Sequence, residues 1–439
     1  MENAWKQASA IEQAIAEPVF NAQRYDISAF GAVADDSSRL NHAAIQAAID
    51  SCNHDGGGIV VVPRGVFHTG PIELKSNVHL YLEEGAVLKF STDASLYFPA
   101  VLTRWEGIDC YNARPLIYAY DAHNIAITGA GTVDGSASFE NWWAKSGKGS
   151  VVGAISQRTG RPKLLQYEQQ NVPTEERVMT EDDGLRPQLI NLYKCSVILI
   201  ENVTLINSPF WVIHPTFCDQ LTVRGVKVNS HGPNSDGCDP ESSRNIRIEN
   251  CVFDTGDDCI AIKSGRNNDG RRWNIPSENI IVRNCRMKAG HGGVVIGSEI
   301  SGGYRNLYVE NCEMDSPELD RVIRIKTSTC RGGVVENVYV RNIKVGQCKE
   351  AVLKINLLYD PKEECLRDFP PVVRNVRLDN VTCEKSRYGV LITGLDDVEN
   401  VYDIHVSNSR FNGVEQGNAI AGARDVYFKN LYINGESVR

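Results

Sequence analysis

Ionisable side chains that could catalyse hydrolysis lie in four short motifs, NSD, GDDC, GHG and RIK, in the middle of the chain. The motifs supply three carboxylates, one imidazole and two cations, namely Asp236, Asp257, Asp258, His291, Arg324 and Lys326. Neighbouring carboxylates repel one another and raise at least one pKa, which leaves a proton donor beside ionised acceptors. Hydrolysis of a glycosidic bond needs such a set, because an acid protonates the leaving oxygen while a carboxylate base activates water.

The two cations of the RIK motif flank Ile325. Side chains alternate along a strand, so Arg324 and Lys326 are expected on one side while Ile325 points into the core. Arginine binds a carboxylate through two parallel hydrogen bonds, which suits a substrate that carries its own carboxylate. Singly, each motif also fits a turn or a solvated strand face. Their occurrence in order, one motif per repeat, favours a catalytic site.

The elements that must position these motifs are repeats of an alternating apolar pattern. The repeats begin at Asn245 (NIRIEN), Asn279 (NIIVRN), Asn306 (NLYVEN), Asn337 (NVYVRN), Asn375 (NVRLDN), Asp403 (DIHVSN) and Asp425 (DVYFKN). Each has the period of a strand with one buried face, and stacked coils bury that face. The sequence therefore predicts an all-β protein, a parallel β-helix. Asn tolerates left-handed backbone geometry, so it suits the turns between strands, and its amide can hydrogen-bond to the next coil.

The cysteines fit the same repeat. Cys251, Cys285 and Cys312 occupy one position in successive units, each after Glu-Asn or Arg-Asn. This predicts a stack of buried thiols rather than a disulfide framework. One or two disulfides remain open if the protein is exported.

The predicted organisation has an N-terminal extension, residues 1–24, and one catalytic β-helix domain, residues 25–439. Asp26–Gly31 is expected to begin a strand, and Asn41–Asp50 to form a short helix that caps the open end of the solenoid. Gly56–Pro63 supplies a turn and a buried strand. Residues 136–187 lack the repeat, and we interpret them as an inserted loop region.

The composition limits the partners. The 439 residues include 46 Lys plus Arg and 55 Asp plus Glu, for a formal net charge of −9. A chain this acidic is not expected to bind nucleic acid through a basic field. No apolar run approaches the about 18 residues of a membrane helix, so no membrane partner is expected. Residues 1–19 lack a secretory pattern. The protein is expected to be cytoplasmic, or periplasmic or secreted if a signal was removed, and its oligomeric state stays open.

The four motifs together resemble the signature of the polygalacturonases, glycoside hydrolase family 28, over nearly the whole chain from Tyr25. The resemblance implies a right-handed parallel β-helix and inverting hydrolysis of α-1,4 bonds between galacturonic acid units of pectic polysaccharide, without metal or other cofactor. Asp257 resembles the general acid, and Asp236 and Asp258 resemble the pair that holds and activates water. His291 resembles the histidine that assists the acid. Arg324 and Lys326 resemble the carboxylate binders.

Further substrate contacts are expected from Asn234 of the NSD motif, Tyr359 in LLYD, Lys263 and Trp105. The family usually has Thr where this chain has Ser235, a residue not expected to react. Trp142, Trp143 and Trp211 are further candidate sugar platforms, and core packing is the stronger interpretation of Trp211. Arg271 and Arg272 are either carboxylate contacts or a solvated loop.

The mode of attack is expected to be exo, from the chain end. Endo-acting members of the family tend to be shorter, and the inserted region could wall off one end of the cleft. The segments TRWEG, NSPFWVIHP and GSEISGG resemble the exo-acting branch.

Three other functions remain compatible with the sequence. A rhamnogalacturonan or xylogalacturonan hydrolase is the nearest alternative, because the two cations say little about outer subsites. A β-helical pectate lyase would use calcium and a basic residue, and the acid cluster could then be read as calcium ligands. A non-enzymatic β-helical adhesin predicts no turnover.

Overall fold

The computed structural model describes residues 2–148, 154–359, 363–396 and 398–438. The chain falls into two compact units, residues 15–239 and residues 240–439 together with residues 1–14. The helices are α1 (Glu2–Ala14), α2 (His42–His54), α3 (Gln157–Gln169) and α4 (Asn267–Trp273). Short 3₁₀ helices span Ile27–Phe30, Ala94–Tyr97, Trp142–Ser146, Thr174–Glu176 and Glu181–Asp183. Among the described residues, no helix combines the length and the apolar composition needed to cross a bilayer.

Residues 15–239 form a parallel β-helix built from three series of strands. The strands are β1 (Arg24–Asp26), β2 (Gly58–Val62), β3 (Gly65–Thr69), β4 (Ile72–Glu73), β5 (Val78–Leu82), β6 (Ala86–Phe90), β7 (Val101–Trp105), β8 (Ile108–Asn112), β9 (Ile117–Tyr120), β10 (His123–Gly129), β11 (Thr132–Asp134), β12 (Ile190–Tyr193), β13 (Ser196–Glu201), β14 (Thr204–Ile206), β15 (Ile213–Thr216), β16 (Asp219–Arg224) and β17 (Lys227–Ser230). One series runs β1-β2-β5-β10-β13-β16. The second runs β3-β6-β11-β14-β17, and the third β4-β9-β12-β15. Strands β7 and β8 form an antiparallel hairpin.

Residues 240–439 repeat this architecture. The strands are β18 (Arg244–Glu249), β19 (Val252–Thr255), β20 (Ile260–Ile262), β21 (Ser277–Arg283), β22 (Arg286–Met287), β23 (Val294–Gly297), β24 (Tyr304–Glu310), β25 (Glu313–Met314), β26 (Arg321–Lys326), β27 (Val334–Gln347), β28 (Ala351–Asn356), β29 (Val372–Lys385), β30 (Tyr388–Thr393), β31 (Val401–Phe411), β32 (Ala419–Ala421), β33 (Ala423–Ile433) and β34 (Glu436–Val438). The repeats predicted from sequence form the parallel series β18-β21-β24-β27-β29-β31-β33. A second parallel series, β20-β23-β26-β28-β30-β32, carries most of the candidate site. The predicted parallel β-helix is confirmed.

The asparagines of the repeat stack in a ladder along the turns. Asn279, Asn306, Asn337 and Asn375 each donate an amide hydrogen bond of 2.7–3.0 Å to the asparagine of the preceding coil. Each has a positive φ between 53° and 66°, the left-handed geometry that asparagine tolerates better than most residues. The sequence prediction is therefore confirmed, and the ladder fixes the register of successive coils.

The thiols also stack as predicted. Cys251, Cys285 and Cys312 are buried, and burial raises the pKa of the Cys285 thiol well above its ordinary value. A neutral thiol behaves as a small apolar residue, so the stack is part of the core. Cys330 and Cys365 form a disulfide that no repeat in the sequence indicated.

Helix α2 confirms the predicted cap. It buries Ile45, Ala48 and Ile49 and packs against β1, β2, β4 and β5. The expected strand at Asp26–Gly31 is wrong in its bounds, because the strand ends at Asp26, whose side chain accepts a hydrogen bond from Ser28 N and caps a 3₁₀ helix.

The N-terminal extension contains a helix that the sequence prediction did not include. Within its unit, α1 packs Ala4 and Ala8 against Ile281 and Tyr308. The Trp5 ring meets the Tyr308 ring edge-on, with 5.7 Å between centroids. The helix thereby covers apolar side chains on the outer surface of β21 and β24.

The inserted region is more ordered than a loop system. Helix α3 packs on the β7–β8 hairpin through a cluster that includes Leu164, Ile108 and Met179. Residues 149–153 of this region lie outside the described residues. That 25–439 form one catalytic domain stays a prediction.

Candidate active site

The two adjacent aspartates of the GDDC motif lie in the turn between β19 and β20. The Asp257 side chain is 18% exposed and that of Asp258 is 0% exposed. The turn is held internally, since Asp258 N donates to Asp257 Oδ1 at 2.9 Å and Thr255 Oγ1 donates to the Asp257 carbonyl at 2.8 Å. One carboxylate therefore reaches the surface while its neighbour is enclosed.

His291 lies in the equivalent turn one coil later, before β23. Its Nδ1 is 2.9 Å from Asp257 Oδ1, and its backbone N donates to the Asp257 carbonyl at 3.1 Å. Both flanking glycines are needed for this approach. A Cβ at Gly290 would lie 2.8 Å from the Asp257 carbonyl oxygen, and one at Gly292 would lie 2.4 Å from Val295 Cγ2. The GHG motif thus brings the imidazole against the acid without steric conflict.

The Asp257–His291 pair shifts the pKa values of both groups. Burial by itself raises the pKa of Asp257, but the hydrogen bond and charge of His291 and the charges of Lys326 and Lys263 lower it overall. The hydrogen bond to Asp257 raises the pKa of His291 against the opposing effect of burial. Both shifts favour the arrangement in which the imidazole, and not the carboxylate, holds the proton of the pair.

Arg324 and Lys326 project from β26 on one side, as predicted, and Ile325 between them is 0% exposed. Lys326 Nζ donates to Asp258 Oδ2 at 2.8 Å, and Arg324 Nη1 lies 3.6 Å from Asp258 Oδ1. Both cations thus face a buried carboxylate of the site itself, a pairing that the sequence analysis did not anticipate. Their binding of a substrate carboxylate stays a prediction.

Tyr359 lies close to the same cations. The centroid of its ring is 5.5 Å from Lys326 Nζ and 5.9 Å from Arg324 Cζ, within the range of a cation–π contact. The structure therefore brings Tyr359 to this site, 33 positions beyond Lys326 in sequence (359 − 326).

Lys263 belongs to a buried ion cluster. It is 3% exposed, and its Nζ lies 3.4 Å from Glu299 Oε2 and 3.3 Å from the Gly297 carbonyl. Burial raises the pKa of Glu299, but the charges of Lys263 and Arg266 lower it overall. Lys263 therefore contributes positive potential toward Asp257, and its contact with substrate stays a prediction.

The other members of this cluster could not be predicted from the sequence. Glu299 also accepts from Arg266 at 3.1 Å, and Glu363 binds both Arg331 and, at 3.1 Å, Asn267. These partners come from loops 32 to 96 positions apart. The sequence shows that these residues are polar or charged, but no motif in it indicates which of them bind one another.

Arg271, a candidate carboxylate contact, supports these loops instead. Its Nη1 donates to the carbonyls of Cys330 and Arg331 at 2.9 and 3.2 Å, and its guanidinium lies 3.6 Å from the Phe369 ring centroid. These contacts hold its guanidinium within the loops. Arg272 keeps 45% of its side chain exposed, but it lies in helix α4 and not in the loop that was the alternative expectation.

Asn234 and Asp236 belong to the unit of residues 15–239. Asp236 is 3% exposed, and its carbonyl accepts from Val212 N at 2.8 Å. Asn234 has a φ of 55°, and its Oδ1 accepts from Arg186 Nη2 at 2.7 Å. The NSD motif is therefore anchored to the neighbouring coil of its own unit by backbone and by Arg186.

The prediction that Trp105 contacts substrate is wrong. Its side chain is 1% exposed, its ring stacks on Phe210 with 5.1 Å between centroids, and Nε1 donates to the Arg186 carbonyl at 3.1 Å. A sugar cannot stack on a ring whose faces are covered by protein. Trp142 and Trp211 are likewise buried. Trp143 is half-buried and donates to the Ser208 carbonyl at 2.8 Å.

Comparisons with known proteins agree with this chemistry. The pattern of the family described as "Glycosyl hydrolases family 28" matches residues 173–408. A "Probable polygalacturonase" from Vitis vinifera is 29% identical over 83% of this chain and 70% of its own length. An "Exo-poly-alpha-D-galacturonosidase" from Dickeya chrysanthemi is 28% identical over 92% of this chain and 70% of its own. The crystal structure of an exopolygalacturonase from Thermotoga maritima matches with a TM-score of 0.94 and 39% identity, covering 99% of this chain and 96% of that one.

A carboxylic acid paired with an imidazole, beside a second carboxylate held by cations on a parallel β-helix, fits a glycosidase. The family match extends over more than half of the sequence. The chain belongs to glycosyl hydrolases family 28 and is a glycosidase. The pectate lyase and adhesin hypotheses are thereby set aside.

Proposed function

We propose that this glycosidase is an exo-polygalacturonase, which hydrolyses the α-1,4 bond at the end of a galacturonate chain with inversion. The observation that carries the proposal is the Asp257–His291 pair, 2.9 Å apart, beside the cations Arg324 and Lys326. The pair supplies a proton, and the cations suit a substrate with one carboxylate per sugar.

Asp257 is proposed as the general acid. In the absence of substrate His291 holds the proton, and Lys326 and Lys263 keep the pKa of Asp257 low. A substrate carboxylate that approaches Lys326 offsets part of this positive charge, and the pKa of Asp257 then rises. The proton can pass from Nδ1 of His291 to Asp257 and from there to the leaving oxygen. Asp258 and Asp236 are proposed to hold and activate the water, as in the family that their motifs resemble.

The exo mode is supported by two observations. Two of the similar proteins carry exo activity in their names, and the structural match among them extends over 99% of the chain. In addition, the inserted region is a packed element, because α3 is fixed to the β7–β8 hairpin by a hydrophobic cluster. The inserted region is therefore not a loose loop, and its role as a wall at one end of the cleft stays a prediction.

A time course on homogalacturonan with separation of the oligomers tests the mode of attack. Early release of only monomer or dimer supports exo attack, whereas a ladder of intermediate lengths refutes it. NMR of the first product reports its anomer, and an unchanged anomer would refute inversion. Parallel assays on rhamnogalacturonan and xylogalacturonan test the nearest alternatives. Asp257→Asn protein, purified identically, controls for contaminating activity.

A further inference from the structure

We propose that Lys354 binds the carboxylate of the sugar one subsite beyond the sugar held at Arg324 and Lys326. This extends recognition of galacturonate to a third sugar and rests on the proposed function, in which a two-sugar substrate fills only the subsites on either side of the cleaved bond.

Strand register places Lys354 in line with the RIK cations. β28 pairs parallel with β26, with Lys354 opposite Arg324 and Asn356 opposite Lys326. Leu353 and Ile355, on either side of Lys354, are 0% exposed and point into the core. Lys354 therefore projects on the same face as Arg324, one strand spacing of about 4.8 Å further along.

The ammonium of Lys354 is held in position. Glu350 Oε1 accepts from Lys354 Nζ at 2.5 Å, while Glu350 Oε2 binds Arg321. The Lys354 side chain is 14% exposed. An ammonium has three donors, so the hydrogen bond to Glu350 leaves others for a ligand. A cation fixed before binding loses less conformational entropy when a carboxylate arrives.

The row of cations ends at Lys354. On β30, Leu391 lies opposite Lys354 and Thr393 opposite Asn356. On β32, Ala419 and Ala421 occupy the next outward positions. These positions carry no charge, so carboxylate recognition along this face is expected to stop at the third sugar. A fourth sugar should add little affinity that depends on charge.

Calorimetric titration with di-, tri- and tetragalacturonate tests this subsite in the Asp257→Asn background, where hydrolysis is expected to be about 10²- to 10⁴-fold slower. In Lys354→Met we expect trigalacturonate and tetragalacturonate to bind about tenfold more weakly, the loss of one charged hydrogen bond. Digalacturonate should bind within about twofold of the parent. Lys354→Arg should retain most of the affinity for the trimer. Lys344→Met, which removes an exposed lysine from β27 of the same unit, is the matched control.

A second measurement needs no variant at Lys354. Esterification of the trigalacturonate carboxyl that is expected to bind Lys354, on the sugar beyond the one held at Arg324 and Lys326, should weaken binding about as much as Lys354→Met does. Equal loss for dimer and trimer in Lys354→Met, or no loss from either change, would overturn the inference. If the wild-type protein binds trigalacturonate through Lys354 but does not hydrolyse galacturonan, the proposed function fails and the subsite stands. If it hydrolyses galacturonan but Lys354→Met leaves the affinity for trigalacturonate unchanged, the subsite alone fails. If it binds no oligogalacturonate, both fail.

Discussion

The ammonium group of Lys326 donates a hydrogen bond of 2.8 Å to the carboxylate of Asp258, which has 0% of its side chain exposed, from 68 positions further along the chain. A buried charge without its partner is strongly unfavourable. The cations of the RIK motif therefore stabilise the site's own carboxylate as well as the charge of a substrate. Substitutions at this site are therefore expected to change both the stability of the protein and its affinity for substrate, and the two effects can be measured separately.

Lys326→Ala should lower the free energy of unfolding by about 3 kcal/mol, the low end for breaking a buried ion pair, because Arg324 stays close to Asp258. Urea denaturation measures this change. The double variant Lys326→Met/Asp258→Asn should recover most of the stability, since it removes both charges. A loss below about 1 kcal/mol would mean that the pair behaves as if exposed to solvent.

The same Lys326→Ala protein should also bind carboxylated substrate more weakly. Because Lys326 is expected to contact the sugar carboxylate, the rise in KM should be smaller on a methyl-esterified analogue. An equal rise in KM on both substrates would count against the carboxylate contact and leave only the role toward Asp258.

Asp257→Asn should lower kcat by about 10²- to 10⁴-fold, because proton donation to the leaving oxygen is lost. The fold should survive, since the amide oxygen can still accept the hydrogen bond from Asp258 N. Steady-state kinetics and circular dichroism measure the two effects. Asp254→Asn, a half-buried aspartate on β19, is the control. Turnover of Asp257→Asn near the wild-type rate would end its assignment as the acid.

The imidazole of His291 should titrate at lower pH in Asp257→Asn than in wild type. The hydrogen bond to Asp257 is the main cause of its raised pKa, and the variant removes the negative charge of that acceptor. NMR titration of the ring protons, assigned with His291→Asn, measures the midpoint. His79, whose pKa burial lowers to about 4, is the internal reference. An unchanged His291 midpoint would show that the pair is not coupled in solution.

The contribution of this pair to stability should depend on pH in both directions. The pKa of Asp257 is lowered on folding, so its contribution is complete above the ordinary carboxyl value of about 4 and falls as pH drops toward the folded value. The pKa of His291 is raised, so its contribution is complete below about 6.5 and falls as pH rises through the folded value. The melting temperatures of wild type and Asp257→Asn should therefore differ most between about pH 4 and 6.5. A constant difference from acid to alkaline pH would contradict the ion pair.

Trp105→Ala should destabilise the protein by about 3–5 kcal/mol, as expected for a large buried aromatic side chain. The KM of the folded fraction should stay unchanged, because the ring is 1% exposed and packs on Phe210. Thermal unfolding and kinetics below the transition separate the two effects. A raised KM with unchanged stability would support the sequence-based prediction that Trp105 contacts a sugar of the substrate.

The parts of the fold that repeat could be predicted from the sequence. Asn245, Asn279 and Asn306 each begin a strand-length alternation with the same left-handed turn, and Asn279 and Asn306 each donate an amide hydrogen bond to the asparagine of the preceding coil. The strand pattern and its turn residue depend on local sequence, so they recur in each repeat and can be recognised there. The motifs GDDC, GHG and RIK could be aligned for the same reason, since each lies just before or within a strand of consecutive coils.

Only the tertiary structure decided which partner each charged or aromatic side chain meets. Lys326 faces Asp258, Lys263 faces Glu299, and Trp105 lies under Phe210. Helix α1 and the Cys330–Cys365 disulfide likewise depend on contacts across long separations. Each of these pairings belongs to a single place in the chain, so no sequence repeat indicates it. They are fixed by how irregular loops pack, which depends on the shape and burial of many side chains at the same time.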